Sequence, residues 1–308
     1  MVSLTAGQKA TLSPEAIKFL NNVPNFPFSN FLSPFLASSG RIKGLRENMA
    51  AKTSPVEEAL IQKHNLKITE ATIANMPVII IEPPAIKLGN ERKILLNFFG
   101  GGFVMGSARE RAALLMAAEM GIRVYSVAYS KSPEVRYPVA RDEGLAVYRE
   151  LLRTFDPSGI FGMASSSGAQ ILLSMLLAAR QENLPMPARL GAGDTTVCND
   201  GRDIMPAALV SAMVTQNYKP VGIDATDALY SPIYAEHESD FPPSVISVGT
   251  RNVCLSHGVR MYWKLREAGV KAELLVSEGM WHGFNWDETL PKAVRVRAAV
   301  RDFLQMNF

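Results

Sequence analysis

The chain is poor in the residues that build metal and disulfide sites. It has two cysteines, Cys198 and Cys254, and four histidines in 308 residues. Two thiols make no disulfide framework, and neither sits at a zinc-ligand spacing. His64, His237, His257 and His282 form no HxxxH or HExxH pair, so no metal and no cofactor is predicted. No stretch approaches the roughly 18 uninterrupted apolar residues that a spanning helix needs, so no membrane partner is expected. No apolar run follows a basic start near Met1, which argues against a secretory signal and for a cytoplasmic setting. Net charge is only +3, with both signs interspersed, so nucleic acid is not an expected partner. Repeats and low-complexity tracts are absent as well.

What is present is an ordinary globular composition, 47% hydrophobic and 20% charged, in a chain long enough to bury a large core. Residues 1–50 read as helical. Ser13 followed by Pro14 and Glu15 is a helix start with a capping hydroxyl and proline in the first turn. Phe26, Phe28, Phe31 and Phe35 then alternate with prolines and serines. So many aromatics in broken structure need cover, either as core or as a cap lining an apolar pocket.

From about Asn65 the pattern becomes short strands alternating with helices. Val78–Ile81, Ile94–Phe99, Val124–Ala128, Ser244–Val248 and Ala272–Val276 read as strands. Helices are predicted over Arg109–Met120, Val139–Leu152, Ser256–Ala268 and Pro291–Leu304, with Gly121 and Gly269 as stops. The segment 189–198 should carry a further strand, although Gly191, Gly193 and Asp194 interrupt it. Residues 204–218 look helical. Such alternation predicts a mostly parallel sheet covered by helices, with its chemistry at the carboxyl ends of the strands.

The most specific stretch is Ile160 to Gln170, where an apolar run climbs into Ala164-Ser165-Ser166-Ser167-Gly168 and passes straight into a long apolar helix. A strand turning sharply into a helix exposes one hydroxyl, and Ser166 occupies the tip of that turn. A serine needs a base to remove its proton, and His282, between Gly279 and Gly283, sits where a loop should bear one.

In this order the motifs resemble the α/β-hydrolase fold and, within it, the hormone-sensitive-lipase-like esterases. Phe99-Gly100-Gly101-Gly102-Phe103 is similar to that family's His-Gly-Gly-Gly-Phe loop, and Tyr129 to Pro133 to its Tyr-Arg-x-x-Pro segment. Ala164 to Ala169 stands at the Gly-Asp-Ser-Ala-Gly-Gly elbow. Gly249 to Asn252 and Gly279 to Phe284 resemble the loops bearing the acid and the histidine. The resemblance implies a helical cap over residues 1–50, with a further piece inserted at about 195–225, and a catalytic domain over residues 51–308. It implies Ser166 as nucleophile, His282 as base, Asn252 at the acid position, and backbone N–H groups of Gly101, Gly102 and Ser167 as the oxyanion hole. Phe99, Phe31 and Phe35 are expected to line the substrate pocket. A small acyl ester is the expected substrate, and relatives that pair through the last strand and helix make a homodimer an expectation.

The departures from the family fall on the site. Asn252 replaces an Asp, Phe99 a His, Ser130 an Arg, and Ala164-Ser165 a Gly-Asp. An amide can orient an imidazole but cannot balance its positive charge, and it can hold the wrong tautomer. The leading expectation is therefore an impaired or repurposed serine ester hydrolase. The alternatives are a non-hydrolytic catalyst on the same Ser/His scaffold, such as a lyase, and an inactive protein that binds a small ligand.

Overall fold

The computed structural model describes residues 6–22, 29–193 and 207–306. Eight strands form one sheet among the described residues: β1 (Lys67–Ile73), β2 (Met76–Glu82), β3 (Ile94–Phe98), β4 (Arg123–Val127), β5 (Ile160–Ser165), β6 (Arg189–Gly193), β7 (Ser244–Gly249) and β8 (Ala272–Ser277). Their order is β1-β2-β4-β3-β5-β6-β7-β8. From β4 to β8 every pairing is parallel. Only β2 runs against the rest, pairing antiparallel with both β1 and β4. A two-residue turn forces that hairpin: Ala74 and Asn75 both take positive φ, 51° and 63°, the twist that closes two adjacent strands tightly.

Among the described residues ten helices accompany the strands: α1 (Ala6–Thr11), α2 (Pro14–Asn21), α3 (Ser29–Leu36), α4 (Ser39–Lys63), α5 (Arg111–Met120), α6 (Val139–Leu151), α7 (Ser167–Gln181), α8 (Ala207–Met213), α9 (Leu255–Glu267) and α10 (Pro291–Gln305). All five residues of β3 are buried, and successive ones serve opposite faces. Ile94, Leu96 and Phe98 share a buried cluster with α6 and α7, whereas Leu95 clusters with α5 and Leu304 of α10. At about 1.5–3 kcal/mol per buried large apolar side chain, this two-sided burial is what holds the central strands in register.

The helical N-terminal reading holds for the described residues, and Ser13 caps α2 through its hydroxyl, which accepts from the Ala16 N–H at 3.3 Å. Residue 50 lies in the middle of α4, which continues unbroken to Lys63 because Met49-Ala50-Ala51 are good helix formers. Over residues 204–218, helix α8 is followed by a wider π-type turn from Val214 to Tyr218. That turn is tied to α3, since the Asn217 amide donates to the carbonyls of Ala37 and Met213 at 2.8 and 3.0 Å. Beside it Ala37, Ile42, Val104 and Met213 form a small buried cluster, so both helical segments meet over the loop that follows β3. The strand expected over 189–198 ends at Gly193; the rest of that segment, Cys198 included, lies outside the described residues.

Candidate active site

Strand β5 is buried along its whole length and ends in Ser165. The next residue, Ser166, takes φ 50° and ψ −122°, a conformation L-residues avoid, and α7 starts immediately after it. Two contacts enforce this turn. The Ser166 N–H donates to the Gly193 carbonyl at 2.8 Å. A Cβ at Gly168 would lie 2.1 Å from the Phe98 carbonyl oxygen, so α7 can approach β3 only with glycine there. Ala164, by contrast, sits in regular strand between Phe98 and Ala192, where an extra methyl costs nothing sterically.

His282 lies on the loop after β8, between Gly279 (φ 75°) and Gly283 (φ 76°). Its Nε2 is 3.0 Å from Ser166 Oγ, and its Nδ1 is 3.0 Å from Asn252 Oδ1. Asn252 is fully buried on the loop after β7. Its Oδ1 also accepts the Cys254 N–H at 2.7 Å. A backbone donor cannot face an amide nitrogen, so this bond fixes the amide with oxygen inward. His282 then carries its proton on Nδ1 and offers a bare Nε2 to the serine hydroxyl. The tautomer is the one a general base needs.

The glycine loop occupies the other side of Ser166. Gly101 and Gly102 take φ 137° and 62°, and a Cβ at Gly101 would fall 2.3 Å from the Met105 carbonyl oxygen. The N–H groups of Gly101, Gly102 and Ser167 enter none of the turn and loop backbone bonds among the described residues. Three contacts hold the loop. Tyr129 donates its hydroxyl to the Phe99 carbonyl at 2.6 Å. Phe103 stacks on Tyr218 at the end of the π-type turn at 3.6 Å. Arg46 of α4 donates to the carbonyls of Val104 and Ser132, both at 2.6 Å, while Glu134 accepts two further bonds from its guanidinium.

Sequence reasoning brought Ser166, His282, Asn252, Gly101, Gly102 and Ser167 to one place, and the chain gathers them there. The three phenylalanines assigned to the pocket are scattered. Phe99 is buried, its ring flat against Tyr129 at 4.1 Å, because a Phe in place of a hydrogen-bonding residue seeks apolar cover beneath the loop. Phe35 is 56% exposed with the Arg41 guanidinium 3.8 Å over its ring. The Phe31 side chain, like Phe26 and Phe28, lies outside the described residues. Ser130 donates through its N–H and hydroxyl to Glu143 at 2.7 and 2.6 Å, which anchors the segment after β4.

Sequence reasoning missed Glu110, which precedes α5. Its carboxylate accepts from the Asn97 amide at 3.1 Å and from the Gly100 N–H at 3.3 Å. Burial pushes its pKa up to about 7 despite those bonds. It borders a cavity of about 330 Å3 between α4 and the glycine loop, shared with Glu57, Arg111 and Trp286. No cluster of His, Cys, Asp and Glu among the described residues could hold a metal ion. No helix among them is long and apolar enough to cross a membrane.

A strand-turn-helix nucleophile, a histidine loop and a glycine loop at the carboxyl edge of one parallel sheet define the carboxylesterase-like hydrolases. Residues 95–285 match the family model described as the alpha/beta hydrolase fold, and the chain belongs to that family. It is 25% identical over 225 residues to an esterase of Acinetobacter venetianus, covering 68% of this chain and 74% of that one. It is 26% identical over 237 residues to an ethyl acetate hydrolase of Pseudomonas putida, covering 71% and 74%. A crystal structure of an esterase designated E25 superimposes with a TM-score of 0.87 at 23% identity, over 99% of this chain and 97% of that one. An esterase of the bacterial hormone-sensitive lipase family superimposes with a TM-score of 0.71 at 20% identity, over 98% of each chain.

Proposed function

We propose that the protein hydrolyses small carboxylic acyl esters through Ser166, with a base that is correctly oriented but lacks a carboxylate behind it. The observation that carries this reading is the continuous relay from Ser166 Oγ to His282 Nε2 and from His282 Nδ1 to the inward-facing oxygen of Asn252.

In the first step His282 Nε2 takes the proton of Ser166 as Oγ attacks the acyl carbon, forming a tetrahedral intermediate. Its oxyanion would be met by the N–H groups of Gly101, Gly102 and Ser167, fixed before the substrate arrives and so free of reorganisation cost. His282 then returns the proton to the departing alkoxide, leaving Ser166 acylated. Water, deprotonated by the same Nε2, releases the acid.

Asn252 sets the rate at which this proceeds. In serine proteases, exchange of the acid for an amide costs about 10⁴ in turnover, because the wrong tautomer results. Here the Cys254 N–H holds the amide oxygen toward Nδ1, so the tautomer loss is avoided and only the missing stabilisation of the imidazolium remains. The names of the relatives, an ethyl acetate hydrolase among them, support short acyl groups.

The test is turnover of p-nitrophenyl esters from acetate to octanoate by the wild type, Ser166→Ala and Asn252→Asp. The reading requires measurable turnover by the wild type that is abolished in Ser166→Ala. Wild-type turnover equal to that of Ser166→Ala overturns it. A homodimer would join β8, which pairs with β7 on one side, to the same strand of a second copy; sedimentation velocity tests this.

A further inference from the structure

The catalytic relay makes no use of Glu110, although its carboxylate sits one hydrogen bond from the glycine loop. Two donors converge on it: the Asn97 amide near the end of β3 and the Gly100 N–H where the loop begins. Asn97 in turn donates to Ser126 Oγ at 2.9 Å, so the cluster reaches across from β3 to β4. One side chain thus ties the start of the glycine loop to the central strand.

We propose that Glu110 is a positioning residue for ester hydrolysis, its ionised carboxylate clamping Gly100 to Asn97 of β3 so that the Gly101 and Gly102 N–H groups stay aimed at the substrate carbonyl. This inference rests on the esterase reading above and adds a control to it. An ionised carboxylate accepts from both donors, one on each oxygen. Protonation removes the charge that strengthens these bonds, and the bond to Gly100 is the longer and weaker at 3.3 Å.

The environment makes that event accessible near neutral pH. Burial raises the carboxyl to about 7, and the Asn97 and Gly100 bonds offset part of the effect. Glu57 of α4, itself raised by burial, adds like charge. Arg46 of α4, Arg111 of α5 and Lys131 after β4 face the same cavity, and Tyr129 lies close beneath. The cavity of about 330 Å3 gives the carboxyl a route for proton exchange. Loss of the clamp leaves the Ser166–His282 distance alone, so it shows in kcat far more than in KM.

The experiment is the pH profile of kcat and KM from pH 5 to 9 for wild type, Glu110→Gln and Glu110→Asp. Thermal melts establish that each is folded. In the wild type the acid limb of log kcat falls with a slope near two, one proton for His282 and one for Glu110. In Glu110→Gln the slope drops to one and kcat at pH 8 falls about tenfold with KM little changed. Glu110→Asp keeps a carboxylate there and holds kcat severalfold above Glu110→Gln. Should Glu110→Gln fail to fold, the wild-type slope decides by itself: a slope of one overturns the proposal. An active wild type matched by Glu110→Gln in kcat and slope overturns this inference alone. A wild type that neither turns over esters nor takes a fluorophosphonate on Ser166 overturns the esterase reading, and this inference with it.

Discussion

Asn252 Oδ1 and His282 Nδ1 stand 3.0 Å apart, and the amide oxygen faces the ring because the Cys254 N–H, 2.7 Å away, requires an acceptor there. An amide in a triad is a defect of charge, but here it is not also a defect of tautomer. The proton therefore sits on the nitrogen remote from Ser166, and the base is in its working form before any substrate binds.

Asn252→Asp supplies the missing charge. A carboxylate at this buried position would accept both existing donors and stabilise the imidazolium as it forms. We expect kcat toward short p-nitrophenyl esters to rise about 10- to 1,000-fold, each factor of ten being about 1.4 kcal/mol of barrier. Unchanged or reduced turnover in a folded variant would show that Asn252 does not hold the acid position.

Strain at Ser166 makes a separate prediction. Ser166 holds φ 50°, at a cost on the order of 1–3 kcal/mol that only glycine escapes. Ser166→Ala keeps that strain and Ser166→Gly relieves it, so the glycine variant should be more stable than the alanine variant by about 1 kcal/mol after its larger unfolded-state entropy is counted. Urea midpoints at constant slope measure the difference. Equal midpoints would refute it.

Gly168→Ala should be among the most damaging single methyls in the chain. Its Cβ would meet the carbonyl oxygens of Phe98 and Phe99 at 2.1 and 2.4 Å, both of them backbone that cannot swing away. Moving α7 off β3 would cost about 3 kcal/mol or more, in line with overpacked cores. Guanidinium unfolding gives the figure; a loss below about 1 kcal/mol would mean that the helix start adjusts freely.

Acid tests the ion pair between Arg46 of α4 and Glu134. The Arg46 guanidinium holds the Glu134 carboxyl down at about 2, below its ordinary 4.5. A depressed carboxylate contributes stability above about 4.5, and that contribution fades as pH falls from there through about 2. Glu134 is largely exposed, so screening limits the pair to under about 1 kcal/mol. Melting temperatures of wild type and Glu134→Gln should differ slightly at pH 7 and converge near pH 2. A gap that persists in acid would place the effect outside this ion pair.

Much of the site was readable because its signals are local. A turn that needs Gly168, a loop that needs Gly101 and Gly102, and a helix stop at Gly121 each write backbone geometry into a few adjacent letters. Apolar runs of strand length did the same for β3, β5 and β7, all buried end to end. That was enough to single out Ser166 and His282 after strand ends; the acid position of Asn252 came from the resemblance to a family pattern. The hairpin of β1 and β2 was less visible, since Ala74 adopts a conformation its identity does not advertise.

Tertiary structure alone decided how those residues work. Whether Asn252 helps or misdirects His282 depends on the Cys254 N–H, and whether Phe99 meets substrate or packs on Tyr129 depends on a strand 30 residues away. Glu110 is an unremarkable acid in sequence and meets Asn97 and Gly100 only where β3 and the glycine loop come together. Local patterns encode backbone shape because steric limits act between neighbouring residues. Proton position, charge and pocket lining are set by contacts between segments far apart in the chain, and the folded sheet is what brings them together.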